Sequence, residues 1–549
     1  MSAAQQLFEK LLEQRGLNNP EAQQLFLHPE YEAAKHDPWL LPDMELAVQR
    51  LIAARDKKDH VVIYGDYDID GLTATTLLYD AFRAFGITVD TFIPNRFVEG
   101  YGLSKDAVRS LAEQGYNLIV TVDCGSLSHE EISLARELGV EVIVTDHHNV
   151  ADTMPAAVAT INPKRPDHSY PFIDLAGVGV AFKLVQAMQQ RMEGLPIGQE
   201  KWLLDLVAMG TVCDVVSLVD ENRANVYWGL KVLQKTRRIG LQTLAKVAGV
   251  EIGTVKAQHL GFVIGPHLNA AGRLKTAQLS LDVLTATDPQ QALELATKLR
   301  EMNLERKAEQ QRIFKEALVQ ADEYVDQPVL VLSGQNWSHG IIGIVAAKIL
   351  EKAHKPTFVL EEMPDGIAKG SARSYGDFSA AEAINYARPH IEKGGGHKLA
   401  AGVTMKYEKI NDFRSAVNEF YHSLQLVDQH RFMEPKIDIA TDCFDGIDLS
   451  FLELLEALEP FGNSNPEPIL QVKDVTITNV RLLGADKQHL KVTGTDKNGK
   501  SLQAIGFNMG DLPVEVGQKA TIALRAVCNE WQGRRTAEGH LVAIENAAS

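Results

Sequence analysis

Six aspartates and two histidines lie where apolar runs of the chain end, and metal ions are often bound by such side chains. Three of the aspartates share the segment Asp66-Tyr67-Asp68-Ile69-Asp70-Gly71, which follows the apolar run 61–64. The others follow later apolar runs, at Asp123, at Asp146-His147-His148 and at Asp214. Carboxylates that crowd together repel one another unless cations lie between them. The pattern therefore predicts a metal centre.

The segment from Asp66 to Gly71 also matches the first half of an EF-hand calcium loop. An EF-hand requires a glutamate at loop position 12, where this chain has Leu77. It also requires a preceding helix, whereas the apolar run before Asp66 predicts a strand. An N-terminal helix cap needs only one of the three aspartates, so capping alone does not explain the cluster.

The tripeptide Asp146-His147-His148 offers two different imidazoles. Because neighbouring side chains of a strand point to opposite faces, we expect one histidine to bind metal and the other to face a substrate phosphate. Asp146 is expected to orient an imidazole by accepting a hydrogen bond from it. A lone histidine pair is more often structural, so this interpretation depends on the surrounding aspartates.

Alternating strands and helices must position these groups. Between residues 61 and 145, short β-branched runs alternate with segments of helical apolar spacing, which predicts repeated β-α-β units and a parallel sheet. Ligands collect outside the carboxyl ends of such strands, so the groups could converge in one crevice. The predicted strands are 61–64, 88–93, 118–122 and 140–145, and the predicted helices are 72–85, 104–113 and 129–138.

The remaining regions complete an α/β organisation. Residues 291–323 contain neither Gly nor Pro and predict one long connecting helix. A second α/β unit begins at residue 328 and carries a glycine-rich turn at 394–396, whereas short alternating runs after residue 436 predict a small antiparallel barrel. The predicted domains are an N-terminal helical brace (1–58), a parallel-sheet domain (59–235), a helical connector (236–325), a second α/β domain (326–425) and a barrel (436–549).

Bulk composition limits the class of protein. A chain of 549 residues is too long for a single core. The net charge of −17 argues against a generally basic nucleic-acid coat but allows a local cationic groove. The four cysteines have no paired spacing, so neither a disulfide framework nor a zinc finger is predicted. We find no signal peptide and no apolar run long enough to cross a membrane, and we therefore expect a cytoplasmic protein.

Taken in order, the motifs resemble the DHH phosphoesterase superfamily and, within it, the RecJ family of bacterial exonucleases. Segments 66–71, 122–125, 146–148 and 210–216 fit the four DHH motifs, and Asn269-Ala270-Ala271-Gly272-Arg273-Leu274 is similar to a stretch characteristic of RecJ. Segments 370–374 and 395–402 fit the DHH-associated domain, and 458–468 opens what looks like an OB-fold. The resemblance covers roughly residues 40–545.

The resemblance implies a centre with two Mn²⁺ or Mg²⁺ ions. One ion would be held by Asp70, Asp123, His147 and Asp214, and the other by Asp68 and Asp123 with help from Asp66. Carboxylates with one imidazole suit these metals better than a metal that prefers thiolates. His148 would face the scissile phosphate and stabilise its charge. Asp146 is the expected partner of an imidazole.

The resemblance also implies recognition of a terminal 5′ phosphate by the second α/β domain. Arg373 and Arg273 can each grip a phosphate with two hydrogen bonds. The other expected contributors are Asn269, Ser371, the amides of 394–396 including Gly395 and Gly396, and His397. One departure concerns Pro266-His267, where related sequences usually have Pro-Arg, so the contribution of that position is in doubt.

The function implied is removal of 5′ nucleotides from single-stranded DNA in recombination and repair. The barrel would hold the strand, with Phe461, Trp531, Lys487, Lys491 and Arg534 as candidates, although core packing explains the two aromatics equally well. A monomer is expected, with a single-strand-binding protein and a helicase as partners. The alternatives are a DHH phosphodiesterase for short oligonucleotides or cyclic dinucleotides, and a catalytically inactive DNA-binding scaffold.

Overall fold

A computed structural model describes residues 1–546. The chain begins with four helices, and the first starts at a capping box in which Ser2 and Gln5 each accept a hydrogen bond from the other's backbone amide. The first helix packs its apolar face into the core of the C-terminal region, and the fourth packs into the core of the first α/β region. The N-terminal segment therefore joins two regions that are distant in sequence. Its helices are α1 (Ala3–Gln14), α2 (Pro20–Leu27), α3 (Tyr31–Ala34) and α4 (Met44–Lys57).

The first sheet is parallel, as predicted, and has the strand order β2-β1-β3-β4-β5. Its central strands are buried on both faces because helices cover both sides. The strand order reverses at β1, because β2 is added on one side of it and β3 on the other. The carboxyl ends of β1 and β3 therefore border a crevice. The strands are β1 (Val61–Tyr64), β2 (Val89–Phe92), β3 (Leu118–Val122), β4 (Glu141–Thr145) and β5 (Ala159–Ile161), and the helices are α5 (Ile69–Ala84), α6 (Lys105–Glu113), α7 (His129–Glu137) and α8 (Gly177–Arg191).

A helical region follows and ends in the long helix that the sequence predicts. This helix, α15 (Pro289–Glu323), has 35 residues and begins at the cap Asp288. Its first half packs in the core of the first α/β region and its second half packs against the second. The preceding helices are α9 (Leu204–Cys213), α10 (Asp220–Leu233), α11 (Ile239–Val247), α12 (Ala257–His259), α13 (Gly265–Leu274) and α14 (Gln278–Thr285), with a π-helical turn at Leu260–Ile264.

The second sheet is mixed and has the order β6-β7-β8-β10-β9. The prediction of a glycine-rich turn at 394–396 is wrong, because these residues belong to an edge strand that pairs with Ala401, Gly402 and Val403. The glycine backbone still forms a complete ladder, which the sequence pattern did not reveal. The strands are β6 (Leu330–Gln335), β7 (Thr357–Glu362), β8 (Ile367–Arg373), β9 (Lys393–Gly396) and β10 (Ala400–Lys406), and the helices are α16 (Ile342–Ala353), α17 (Ala380–Tyr386) and α18 (Ile410–Ser423).

The C-terminal region is a six-stranded sheet with the order β11-β12-β13-β14-β16-β15, in which β12 also pairs with β15. Most pairs are antiparallel, as predicted, but β11 with β12 and β14 with β16 run parallel. The elements are β11 (Ile439–Thr441), α19 (Leu449–Glu456), β12 (Leu470–Leu483), β13 (His489–Thr495), β14 (Ser501–Gly506), β15 (Lys519–Trp531) and β16 (Arg534–Asn546).

None of the helices among residues 1–546 combines the length and the apolar character needed to cross a membrane. The boundaries between the five predicted domains stay predictions.

Candidate metal centre and phosphate cleft

The loop after β1 and the first turn of α5 bring three aspartates to the carboxyl end of the sheet. Asp68 caps α5 by accepting hydrogen bonds from the amides of Asp70 (2.9 Å) and Gly71 (3.2 Å). Gly71 is needed for close packing, because a Cβ there would lie 2.6 Å from the Asp66 amide nitrogen. The carboxylate of Asp70 accepts from the amides of Gly177 (2.6 Å) and Val178 (2.9 Å) at the start of α8.

Asp123 follows β3 in a left-handed backbone conformation, with φ of 61°. A non-glycine residue in this region carries strain, which is common at functional sites. The Asp123 amide donates to the carbonyl of Thr145, at the end of β4 (3.0 Å). This arrangement fixes the carboxylate between the β1 loop and the histidines.

The two histidines follow β4, and their rings contact each other with centroids 4.5 Å apart. The expectation that they face opposite sides is wrong, because strand alternation does not extend past Thr145, where β4 ends. Asp146 orients His148 as expected of it: its Oδ1 lies 2.9 Å from His148 Nδ1 and also accepts from the His147 and His148 amides. His147 instead points toward the aspartates.

Asp214 comes from the end of α9, which is a helix, and not from a strand. The Nε2 atom of His147 lies 3.1 Å from Asp123 Oδ1, 3.6 Å from Asp214 Oδ2 and 3.7 Å from Asp70 Oδ2. Potential ligand atoms within 4.8 Å of one another form three overlapping sets, which are Asp70 with His147 and Asp214, Asp66 with Asp68 and Asp123, and Asp123 with His147 and His148.

The centre is suited to divalent cations, because several of its buried ligand atoms have no hydrogen-bond partner. Within the described part of the chain, Asp66 Oδ1, Asp123 Oδ1 and His147 Nε2 are buried and have no hydrogen-bond partner, although the last two are only 3.1 Å apart. Buried polar atoms are normally paired. Oxygen ligands with one imidazole suit Mn²⁺ or Mg²⁺.

The electrostatics of the centre agree with this fit. Burial, reinforced by neighbouring carboxylates, raises the pKa of Asp70 to about 7 and that of Asp214 to about 9, and it also raises the pKa values of Asp66 and Asp123. Burial lowers the pKa of His147 to about 3, so its imidazole is neutral and can act as a ligand. The buried carboxylates thus repel one another, and bound cations would remove this repulsion.

Asp146 behaves differently from the other buried aspartates. Burial alone would raise its pKa, but hydrogen bonds from His148 and from the Ser126 amide lower it. Asp146 is therefore ionised, and its negative charge raises the pKa of His148 against the effect of burial. The pair supplies a fixed, positively polarised imidazole beside the aspartates.

A second cleft, of about 500 Å³, lies on the second sheet. Ser371 and Arg373 on β8 line it together with the glycines of β9, Gly395 and Gly396 among them. The start of α16 approaches the same side chains, since a Cβ on Gly343 would lie 3.0 Å from Ser371 Oγ and 3.2 Å from Arg373 Nη2. Arginine, hydroxyl, open backbone and a helix N-terminus together suit a phosphate group.

The other sequence-predicted phosphate ligands lie elsewhere. Asn269 and Arg273 line a larger cavity of about 1030 Å³ between the first α/β region and the C-terminal sheet. The Arg273 guanidinium donates to the Gly340 carbonyl (3.1 Å). His397 is exposed at the turn after β9 and does not line the smaller cleft. His267 is buried, and its Nδ1 lies 2.7 Å from the Val263 carbonyl of its own helical segment.

Sequence reasoning missed two residues of the loop after β2. Arg96 lines the phosphate cleft, and Tyr101 places its hydroxyl 2.9 Å from His148 Nδ1. The signal was available, because this loop also follows a strand of the parallel sheet at its carboxyl end. The loop contains neither aspartate nor histidine, so a search for metal ligands passed over it.

The C-terminal sheet also carries an aromatic cluster that the sequence did not reveal. Phe507 lies edge-to-face with His489 (5.4 Å between centroids) and with His540 (5.3 Å), and its side chain is exposed. Of the expected aromatics, Trp531 is 72% exposed at the end of β15, which excludes the core alternative for it. Phe461 packs against the C-terminal core and lines the larger cavity.

Comparison with known families identifies three domains in the chain. Three family models match: the N-terminal domain of the DHH family at residues 60–211, the DHHA1 domain at 326–423 and the RecJ OB domain at 437–542. The fold is therefore a parallel-sheet DHH domain, a second α/β DHH-associated domain and an OB domain.

Whole-chain relatives agree with the domain matches. The chain is 37% identical to the single-stranded-DNA-specific exonuclease RecJ of Bacillus subtilis, covering 96% of this chain and 66% of the relative, and it thus spans about two thirds of that protein's length. It is 34% identical to the Haemophilus influenzae protein of the same name, covering 91% of this chain and 90% of the relative.

Solved structures show the same similarity. The crystal structure of RecJ from Thermus thermophilus in complex with Mn²⁺ superposes with a TM-score of 0.85 at 30% identity, covering 99% of this chain and 76% of that one. The same protein has been solved with Mg²⁺, with a TM-score of 0.79. From its domains and from relatives matched over nearly their whole length, the chain belongs to the RecJ family.

Proposed function

We propose that this protein is a metal-dependent exonuclease that hydrolyses single-stranded DNA in the 5′-to-3′ direction and releases 5′-mononucleotides. The observation that carries the proposal is the pairing of two sites of opposite charge in one fold. One is a buried cluster of carboxylates with one imidazole, and the other is an open arginine-lined cleft. The end of a DNA strand carries negatively charged phosphates. The cations bound at the first site would attract one phosphate, and the arginines of the second site would bind another.

The proposed ligands of two Mn²⁺ or Mg²⁺ ions are Asp70, Asp123, His147 and Asp214 for one ion, and Asp66, Asp68 and Asp123 for the other. The spacing of their ligand atoms supports this division: Asp70, His147 and Asp214 form one close set and Asp66, Asp68 and Asp123 form another, and Asp123 Oδ1 lies 3.1 Å from His147 Nε2. When bound, such ions activate water and neutralise charge on the phosphoryl oxygens. The names of the solved relatives include both metals.

The protein's own residues would then bind and orient the strand end. His148, held by Asp146, faces the developing charge as a stabiliser that need not transfer a proton. Ser371, Arg373 and the glycine amides of β9 hold the terminal phosphate, and Arg96 adds a further cation. Asn269 and Arg273 border the cavity that leads toward the C-terminal sheet, where we place the path of the strand.

Other parts of the proposal rest on family membership and composition. The OB domain would bind single-stranded DNA through Lys487, Lys491, Arg534 and exposed aromatics, in a local groove of a chain whose net charge is −17. We propose a cytoplasmic monomer acting in DNA recombination and repair, with a single-strand-binding protein and a helicase as partners.

The test uses long single-stranded DNA labelled at one end, with or without a 5′ phosphate, in Mn²⁺. The expected result is release of mononucleotides from the 5′ end, no attack on blunt duplex, and loss of activity in Asp70→Ala. Asp152→Asn, which changes an exposed carboxylate in the loop after β4, is the matched control and should remain active. Rapid cleavage of two- to five-nucleotide oligomers or cyclic dinucleotides, without attack on long strands, would favour the short-substrate phosphodiesterase instead.

A further inference from the structure

Residues 95–102, the bridging loop, contact both charged sites. Arg96 near its start lines the phosphate cleft, and Tyr101 near its end contacts His148 at the metal centre. Only four residues separate them in sequence. A single short segment thus contacts the group that would receive the terminal phosphate and the group that would act at the scissile bond.

Internal hydrogen bonds make the bridging loop a closed turn. The Asn95 amide donates to the Glu99 carboxylate (2.7 Å), and the Phe97 amide donates to Asn95 Oδ1 (2.9 Å). The amides of Val98 and Glu99 both donate to the Asn95 carbonyl, at 3.0 and 2.9 Å. These bonds hold residues 95–99 together as one turn, and Tyr101 follows that turn after a single residue, Gly100.

The cationic end of the bridging loop is free to accept an anion. The Arg96 guanidinium lies over the Tyr67 ring, 5.2 Å from its centroid. Among residues 1–546 it forms no ion pair within 4.0 Å, although its charge acts on the carboxylate of Asp66. Arg96 shares the cleft with Arg373, so two guanidinium groups converge where a phosphate would neutralise them.

Phe97 docks the loop onto the second α/β domain. Its ring meets that of His339 edge-to-face, with centroids 4.8 Å apart. His339 is itself fixed, because its amide and its Nδ1 both lie 2.9 Å from Glu361 Oε2. The position of the loop therefore depends on the domain that carries the phosphate cleft.

Tyr101 holds the other end of the loop against the metal centre. Its hydroxyl donates to the carbonyl of Asp123 (3.1 Å) and lies 2.9 Å from His148 Nδ1. The buried Tyr64 hydroxyl anchors the loop just beyond, by donating to the Gly102 carbonyl (3.0 Å). Tyr101 thus contacts the backbone of one proposed metal ligand and the ring of His148.

We propose that the bridging loop couples recognition of the terminal phosphate to the placement of His148, with Tyr101 as the positioning residue. A 5′ phosphate bound by Arg96 fixes the braced turn, and the turn fixes the Tyr101 hydroxyl against His148. This inference rests on the proposed nuclease function and adds to it that a 5′ phosphate raises kcat as well as affinity.

The experiment compares kcat and KM on single strands with a 5′ phosphate and with a 5′ hydroxyl, at saturating Mn²⁺. In the unaltered protein, the phosphate is expected to raise kcat. Phe97→Ala removes the docking contact and is expected to bring the ratio of the two kcat values close to one. Tyr101→Phe keeps the ring and removes the hydroxyl, and it is expected to lower kcat about 10-fold with KM little changed. Val98→Ala, at an exposed position of the same loop, is the matched control.

Different outcomes separate the coupling from the nuclease activity. If Phe97→Ala lowers kcat equally on both substrates, the residue has a purely structural role and the coupling is overturned. An unchanged kcat in Tyr101→Phe overturns it as well. If the unaltered protein releases nucleotides with the same kcat from 5′-phosphate and from 5′-hydroxyl strands, the coupling is refuted and the nuclease proposal stands. If it releases no nucleotides from either kind of 5′ end, both are refuted.

Discussion

The metal centre gathers negatively charged side chains in a buried position, whereas the phosphate cleft gathers positively charged side chains at an open one. Asp66, Asp70 and Asp123 are at most 3% exposed, and their side chains are fixed by strand ends and helix starts. The cleft is open, and its wall combines glycine backbone on β9 with basic side chains, Arg96 and Arg373 among them. Buried like charges need cations to be stable, whereas the guanidinium groups of Arg96 and Arg373 are only partly buried. The centre should therefore depend on metal for its order, and the cleft should be formed without it.

The largest expected effect concerns Asp123, which belongs to two of the three ligand sets. Asp123→Asn should reduce nucleotide release by at least about 1000-fold, because it removes a charge that the ions require. The same change should raise the thermal unfolding temperature of the metal-free protein, since one buried repelling charge is gone. Activity assays in Mn²⁺ and thermal scans in chelator measure both. Retention of full activity would contradict the assigned centre.

The next effect tests whether the cleft is independent of the centre. Arg373→Ala should raise KM for 5′-phosphorylated strands between about 10-fold and 100-fold, the range for a lost hydrogen bond to a charged group. Mn²⁺ affinity, measured by calorimetry, should not change. Arg109→Ala, on the exposed face of α6, is the matched control. Loss of Mn²⁺ binding in Arg373→Ala would show that the two regions form one cooperative unit.

The pH dependence should separate the two regions further. Metal binding must displace protons from Asp70 and Asp214, whose pKa values are raised to about 7 and about 9 by burial. Mn²⁺ affinity should then rise about a hundredfold per pH unit below pH 7, where two protons are released, and about tenfold per unit between about pH 7 and about pH 9, where only Asp214 still releases one. Titration calorimetry between pH 5.5 and pH 8.5 (roughly the range over which Asp70 loses its proton) measures it, and a flat profile would contradict the raised pKa values.

The same pKa shifts give the sign of the stability change. In the metal-free protein the folded pKa values exceed the unfolded ones, so this contribution to stability is present at low pH. It is lost as pH rises through about 7 and then about 9. The unfolding temperature in chelator should therefore fall by several degrees on going from acidic to alkaline buffer. Added Mn²⁺ should reverse the fall, and a rise without metal would contradict the assignment.

The smallest expected effect extends the comparison to the C-terminal sheet. Phe507→Ala should weaken binding of long single strands about fivefold to tenfold, because a stacking surface is lost, and should leave metal binding and the cleft unaffected. Val516→Ala is the matched control, since that apolar side chain is also exposed. Equal affinity of both variants for a long oligonucleotide would remove the aromatic cluster from the binding surface.

Much of the fold could be predicted from the sequence, because its signals are local. The apolar runs at 61–64 and 118–122 are strands with those bounds, and the helix predicted at 291–323 differs from α15 by two residues at its start. The glycines at 394–396 were predicted as a turn, because glycine indicates a flexible backbone and gives no information about which strand it pairs with. Their strand exists only because β10 lies beside it, and no local pattern records that neighbour.

The candidate site divides in the same way. Asp66, Asp68, Asp70, Asp123 and His147 could be located from the sequence, because metal chemistry limits the residue types and the sheet limits their positions to strand ends. Arg96 and Tyr101 were missed although their loop also follows a strand end, because an arginine and a tyrosine in a surface loop have many ordinary roles. Their importance comes from what they contact across the crevice.

The sequence by itself determined the ligand types, the parallel sheet and the order of the regions, because residue type and periodicity act over a few residues. Only the tertiary structure decided that His147 points toward the aspartates while His148 is held by Asp146, and that α1 packs with the C-terminal core. It also decided that one loop reaches both charged sites. These features depend on contacts between residues far apart in the chain, and such contacts are specified by packing as a whole.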